Sequence, residues 1–298
     1  MQADEAKGNW GRWGPEDERG ALNLATPDVV LEAARAIRTG KVYSLALPIS
    51  RSRTPAVWDR PPPERFTRTA PQDHNPVDVF GLPAAGSADD MLVLPSHAGT
   101  HLDALSHVFE GEHFYNGHPV SSFSTRRGAG RCSIVSTGTV AVRGVLLDVA
   151  AGAGLPALPA GHTIIAAELA ACCERQGVEI RPGDGVLVRT GWLEALTADP
   201  STPSFPQPGI GLEAAEWLRR CDVSLVAADN SAVEVLPFDG GRELAVHVQL
   251  IVHSGIALLE HAWLAELAAD SCFTSLLVVG ALPVVGATGS PVNPIAIG

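Results

Sequence analysis

The chain has 298 residues, of which 46% are hydrophobic and 18% charged, the composition of an ordinary globular protein. Its formal net charge of −12, with no Lys/Arg cluster, argues against a nucleic-acid partner, because a phosphate backbone demands concentrated positive charge. The start MQADEAKGNWGRWG is too polar for a signal peptide, and the longest apolar stretch, Leu276 to Ala287, is broken by Pro283 and falls well short of the roughly 20 residues of a membrane span. A soluble, cytoplasmic protein is the expectation.

In chain order, a Trp/Gly-containing opening leads to a helix signal. Thr26 is placed to cap it, Pro27 and Asp28 occupy its first turn, Leu31, Ala34 and Ile37 follow at helical spacing, and Gly40 stops it. KVYSLALPIS then alternates as a strand. Residues 51–90 are rich in Pro, Arg and Asp without a period, as expected of a functional loop or lid. From residue 132 onward, CSIVS, GVLLDVA, GVLVRTGW, VSLVAAD and TSLLVVGALPVVG are short apolar runs bounded by Gly, Asp or Pro, which predicts buried strands. Helical patterns separate them: one capped by Thr163 and carrying Glu168, one from Gly211 to Arg220, and one from Leu244 to Ala269 that could divide in two. Strands and helices interleave without a linker, so one α/β domain is predicted. Cys132, Cys172, Cys173, Cys221 and Cys272 form no C-x-x-C pair and read as reduced, mostly buried thiols.

The densest chemical feature is HAGTHLDALSH, from His97 to His107. Imidazole and carboxylate are the donors that Zn²⁺, Mn²⁺ or Fe²⁺ prefer. In an extended segment His101 and Asp103 point to one side, because strand side chains alternate. Gly99 permits a turn that returns His97 to them. MLVLP before His97 suggests that the motif begins where a buried strand ends, and His107 would share a face with Asp103 on a following helix. A weaker pair, His247 and Glu260, lies in VHVQLIVHSGIALLEHAW, an apolar stretch where unpaired ionisable groups are costly; His253 and His261 compete with His247 as ligands. The sequence lacks a G-x-S-x-G elbow, an H-E-x-x-H helix, a G-x-G-x-x-G turn and a phosphate loop with its lysine.

HAGTHLDALSH resembles the H-x-G-T-H-x-D-x-x-x-H motif of the cyclase family of metal-dependent hydrolases, which includes bacterial kynurenine formamidases and isatin hydrolases. The resemblance runs the length of the chain, through WGPEDERGALNL, THLDALSHVFEG, RGVLLDVA, GDGVLVRTGW, AVEVLP and GATGSPVNP. Where formamidases usually carry Pro late in the motif, this chain has Ala104-Leu105-Ser106, and it is longer at its N-terminus, so it is more similar to the isatin hydrolase side. The resemblance implies a single-domain α/β fold of the swivelling β/β/α type, a mixed β-sheet flanked by helices, with residues 1–40 an extension packed on it. It implies hydrolysis of a C–N bond in a small cyclic amide or aryl formamide, and a homodimer or higher homo-oligomer. His97, His101 and Asp103 map onto metal ligands for Mn²⁺ or Zn²⁺, His107 onto the catalytic histidine, and His247 and Glu260 onto further ligands. Hydrolysis by metal-activated water, with His107 as general acid/base, is the expected mechanism. Lactone opening on the same site, or metal-dependent binding of a small molecule without turnover, are the alternatives. A flat substrate ring calls for aromatic faces, and the candidates lie in the Trp10–Trp13 segment and the loop with Trp58, Phe66 and Phe80, with Trp13 and Phe80 foremost.

Overall fold

The computed structural model describes residues 8–52, 54–55, 59–74, 80–83, 85–199 and 201–298. Nine strands form one sheet: β1 (Val42–Ser44), β2 (His101–Asp103), β3 (Thr139–Asp148), β4 (Gly185–Arg189), β5 (Leu225–Ala228), β6 (Ala257–Glu260), β7 (Thr274–Gly280), β8 (Gly289–Pro291) and β9 (Ile295–Ile297). Their spatial order is β1-β9-β7-β3-β4-β5-β6-β2-β8. The central four, β3 to β6, are parallel, and both flanks are antiparallel. This is the mixed sheet expected.

The apolar runs of the central strands are near-continuous because both faces are covered. Val145, Leu147, Val186, Val188, Val226, Ala228 and Leu258 enter one core, together with Leu169, Leu218 and Ile251 from the helices. Their sequence neighbours Leu146, Leu187, Leu225, Ala227, Ala257 and Leu259 enter a second core, with Leu22, Tyr43, Ile134 and Leu267. The alternation is the strand period of two. The helices Ala166–Gln176 and Leu212–Arg220 follow β3 and β4 as crossovers on the first face.

Several expectations are corrected. CSIVS is not a strand; Ile134–Thr137 is a single helical turn, ended by Gly138 at φ +67°. A five-residue apolar run carries no period long enough to separate the two. Thr163 lies in a two-residue bridge, and the next helix begins after Ile165, whose N–H is taken by the Glu168 carboxylate. The stretch from Leu244 holds a helical turn (Ala245–His247) and a π-helix (Val248–His253), and then β6 intervenes before the helix Ala265–Ala269. Part of the loop at 51–90 is a ribbon, Glu64–Thr69 against Asp89–Val93, and its second strand is exposed rather than buried. The first helix, Pro27–Ala34, is capped by Thr26 as expected but ends well before Gly40. No helix among the described residues is long and apolar enough to cross a membrane.

The segment from residue 8 to 25 packs on the body. Asn9 N–H donates to the His253 carbonyl at 2.9 Å and Trp10 Nε1 to that of Val252 at 2.6 Å, while Glu18 accepts from Arg131, Cys132 N–H and Ser136.

If the two-sided burial of β4 carries the fold, Leu187→Ala lowers unfolding stability by about 2–5 kcal/mol in a denaturant titration. Val285→Ser, at a site 86% exposed, changes it by less than about 0.5 kcal/mol.

Candidate metal centre

The site forms where β6 meets β2. In their antiparallel register Glu260 stands opposite His101 and Leu259 opposite Leu102. Cross-strand partners project to the same side, and every second residue returns to it. His101, Asp103 and Glu260 therefore share one face, while Leu102 and Leu259 sink into the core on the other. His247 reaches the same face from its helical turn. The four side chains are all buried. His101 Nε2 lies 3.1 Å from Glu260 Oε2 and 3.7 Å from Asp103 Oδ1. His247 Nε2 lies 3.3 Å from Glu260 Oε1 and 3.8 Å from Asp103 Oδ2.

Hydrogen bonds behind the rings fix what these nitrogens present. His101 Nδ1 faces the Gly99 carbonyl at 2.8 Å, an acceptor, so Nδ1 carries the proton. His247 Nδ1 likewise donates to Glu234 Oε1 at 2.5 Å. A neutral ring in this orientation would aim the lone pair of Nε2 at carboxylate oxygens, an arrangement that repels unless a proton or a cation lies between. His101 Nε2 and Asp103 Oδ2 are buried without a hydrogen-bond partner among the described residues. Two imidazole nitrogens and two carboxylates converging in this way fit a divalent cation. Among the described residues two ligand groupings emerge, His101–Asp103–Glu260 and His97–Asp103–His107, with Asp103 common to both.

In the apo protein, protons take up part of that role. Burial disfavours charge on His247, but the Glu234 hydrogen bond and Glu260 outweigh it and raise its pKa to about 10. His101 is raised too, with burial again overcome by Glu260 and then Asp103. Glu260 is brought down to about 2: burial and Asp103 push it up, and His101 and His247 prevail. Asp103 is held below the usual carboxylate range, since His107, His97 and His101 overcome its burial.

His97 sits differently. Its Nδ1 meets Asp103 Oδ1 at 2.8 Å and its Nε2 meets Thr288 Oγ1 at 3.1 Å, so ligation requires it to release one of them. Gly99, at φ +63°, makes the turn that brings the ring back. Gly289 makes room for it, because a Cβ there would stand 2.5 Å from His97 Cε1. His107 stacks on His97 with ring centroids 3.9 Å apart. No helix follows the motif; His107 closes a turn instead, its N–H donating to Ala104 O at 2.9 Å. Burial lowers His107 to about 4 against the opposing charge of Asp103, so the ring is neutral at pH 7.

His107 and Ser106 open onto a cavity of about 330 Å³ walled by Phe109, Phe114, Val120, Phe123 and Thr288. Ser106 Oγ is buried with no hydrogen-bond partner among the described residues. Neither Trp13 nor Phe80 lines this cavity. Trp13 packs against the first core under the Arg12 guanidinium, and Phe80 is 82% exposed. Trp58 lies outside the described residues. Glu234 and Ser106 lie inside AVEVLP and HAGTHLDALSH, and Phe109 and Phe114 soon after the latter, but no spacing rule in the sequence singles them out. His253 pairs with Glu110 at 2.7 Å, away from the centre.

The Cyclase family model matches residues 43–235. The chain belongs to this family. A crystal structure described as a novel cyclase is 37% identical, covers 98% of this chain and 97% of its own, and superposes with a TM-score of 0.90. Isatin hydrolase A from Ralstonia solanacearum shares the fold at 19% identity, covering 91% of this chain and 97% of its own, with a TM-score of 0.62. An isatin hydrolase bound to the product analogue thioisatinate gives 18% identity, 86% and 91% coverage, and a TM-score of 0.62. No curated protein matches.

Because His247 holds a proton at pH 7 that a ligand must lose, cation binding should release about one proton per ion. Calorimetry in buffers of differing ionisation enthalpy measures it; no release would remove His247 from the ligand set. His101→Ala and Asp103→Ala should each lower the metal found by plasma mass spectrometry.

Proposed function

We propose that this cyclase-family protein is a metal-dependent hydrolase that opens the C–N bond of a small cyclic amide or aryl formamide. One observation carries the reading: a buried His/Asp/Glu donor set lies beside a neutral histidine that opens onto an aromatic-walled cavity. The isatin hydrolases that share the fold support it in the same direction. His101, Asp103, Glu260 and His247 would hold the ion, with His97 joining them from its place beside Asp103. When bound, a divalent cation such as Mn²⁺ or Zn²⁺ polarises the carbonyl and lowers the pKa of water.

The protein's own groups supply the rest. His107, neutral, half-buried and lining the cavity, takes a proton from the attacking water and returns one to the departing nitrogen. Its stack on His97 fixes the ring's plane. Phe109, Phe114 and Phe123 offer faces for a flat ring, the part for which Trp13 and Phe80 were candidates by sequence. The Ser106 hydroxyl orients the substrate by a hydrogen bond to a polar atom near the scissile bond. A pocket that is mostly apolar with a few convergent polar groups suits a small uncharged ring.

The deciding experiment is turnover of isatin, N-formylkynurenine, a hydantoin and a γ-lactone, with Zn²⁺ or Mn²⁺ restored. Amides should be opened fastest; lactone opening tenfold faster than every amide would reverse the substrate assignment. His107→Ala should keep its metal and lose about two to four orders of magnitude in kcat. Loss of the metal instead would make His107 a ligand. Ser106→Ala should raise KM and leave metal content unchanged.

A further inference from the structure

The ligand set and His107 leave one buried histidine at the site without a role. His261 follows Glu260 directly, is fully buried, and holds a left-handed backbone at φ +52°, uncommon for a residue with a side chain. We propose that His261 is a positioning residue of the metal centre, locking the Gly99 carbonyl that orients His101. The inference rests on the metal-centre reading above and is independent of the substrate.

The proton positions around this ring are forced by its partners. Nδ1 faces the Gly99 carbonyl at 3.1 Å, so Nδ1 donates. Nε2 is then a lone pair and accepts from the Ser231 hydroxyl at 2.8 Å. Ser231 Oγ accepts in turn from Gln207 Nε2 at 3.0 Å, and Gln207 Oε1 takes the Ser231 N–H at 2.9 Å. The second lone pair of the Gly99 carbonyl accepts from His101 Nδ1. A single buried chain thus runs from Gln207 through Ser231, His261 and Gly99 to a ligand ring, with each donor and acceptor role determined. Both His261 nitrogens are engaged by groups outside the donor set, the Gly99 carbonyl and the Ser231 hydroxyl.

The backbone of His261 ties the same loop. Its carbonyl accepts from Thr100 Oγ1 at 2.7 Å, and its N–H donates to the Asn230 carbonyl at 3.0 Å. Trp192 lies across the ring with centroids 6.2 Å apart and planes inclined by 21°. The left-handed turn directs the ring away from the strand line of β6 and toward Gly99. Strain of this kind persists where surrounding contacts over-determine it, and here those contacts lead to the turn between His97 and His101.

The test is Zn²⁺ affinity, measured by competition with a chromophoric chelator on metal-free protein, alongside thermal unfolding of the same samples. His261→Leu should weaken Zn²⁺ binding about 10–100-fold, the usual effect of removing a partner behind a ligand. His261→Asn, which tolerates the left-handed backbone and keeps an N–H donor, should recover part of the loss. Ser231→Ala should weaken binding less, and its effect should not add to that of His261→Leu, because both break one chain. Leu218→Ala, a truncation in the first core, should lower the unfolding temperature yet leave Zn²⁺ affinity unchanged. Parental affinity in His261→Leu, or equal weakening in Leu218→Ala, overturns the proposal. If His261→Leu does not fold, Ser231→Ala carries the test, and parental affinity there overturns it equally. An unsubstituted protein that binds no Zn²⁺ fails the metal centre itself, a result separable from any outcome with substrates.

Discussion

Two carboxylates buried side by side are the constraint on which the rest of the structure turns. Asp103 and Glu260 are both buried, and among the described residues their ion-pair partners are histidines rather than Arg or Lys. Ionised carboxylates in such a place cost several kcal/mol each unless positive charge is supplied. His247, raised to about 10 against its burial by Glu234 and Glu260, supplies part of it as a proton, and the same donor set fits a divalent cation. The outer contacts follow from that need. Glu234 and the Gly99 carbonyl each take the far proton of a ligand ring, which leaves no freedom in which nitrogen faces inward.

The sheet makes this arrangement cheap in structural terms. A parallel α/β core buries both faces of its central strands, and its ligands gather at strand ends where crossovers leave space. Here β6, the last parallel strand, is followed in space by β2, which runs antiparallel and comes from far earlier in the chain. That change of direction places the motif's own strand against Glu260. A slip of one residue in the β6–β2 register would exchange His101 and Asp103 for Leu102 and turn the ligands into the opposite core. The hydrophobic pattern that fills both cores therefore also fixes the geometry of the ions' donors.

Sequence made the centre legible to the extent that it was local. His97, His101, Asp103 and His107 fall within eleven residues, and the alternation of β2 places two of them on one face. The family likeness extended this to His247 and Glu260, which the structure brings within 3.3 Å of one another across the helix–strand break. That break was invisible in the pattern, because the apolar run through Leu250 and Leu258 fits a helix and a buried strand equally. Glu234 and the Gln207–Ser231–His261 chain were not legible for a different reason. Each member is an ordinary polar residue, and its role exists only once the residues 162 positions apart, Gly99 and His261, are brought into contact. The aromatic lining was not legible for a related reason: only topology decides that Phe109, Phe114 and Phe123, and neither Trp13 nor Phe80, line the cavity that His107 lines.

The division between the two parts of the site has a consequence for how such proteins diverge. The candidate ligands stand on strands and a helical turn, tied down by buried hydrogen bonds and by cores on both faces. The cavity wall instead comes from the irregular segment after His107, held by short turns and bridges such as Glu110 with His113 and His113 with Pro119. Phe109 and Phe123 remain 58% and 41% exposed, so changing either removes little burial from the core. Substitution in that wall reshapes the cavity at small cost to stability, whereas a change at Asp103 or Glu260 disturbs a buried, mutually balanced charge cluster. The donor set and the cavity wall are in this way built from different parts of a single fold, the first from sheet and helical turn, the second from an irregular segment.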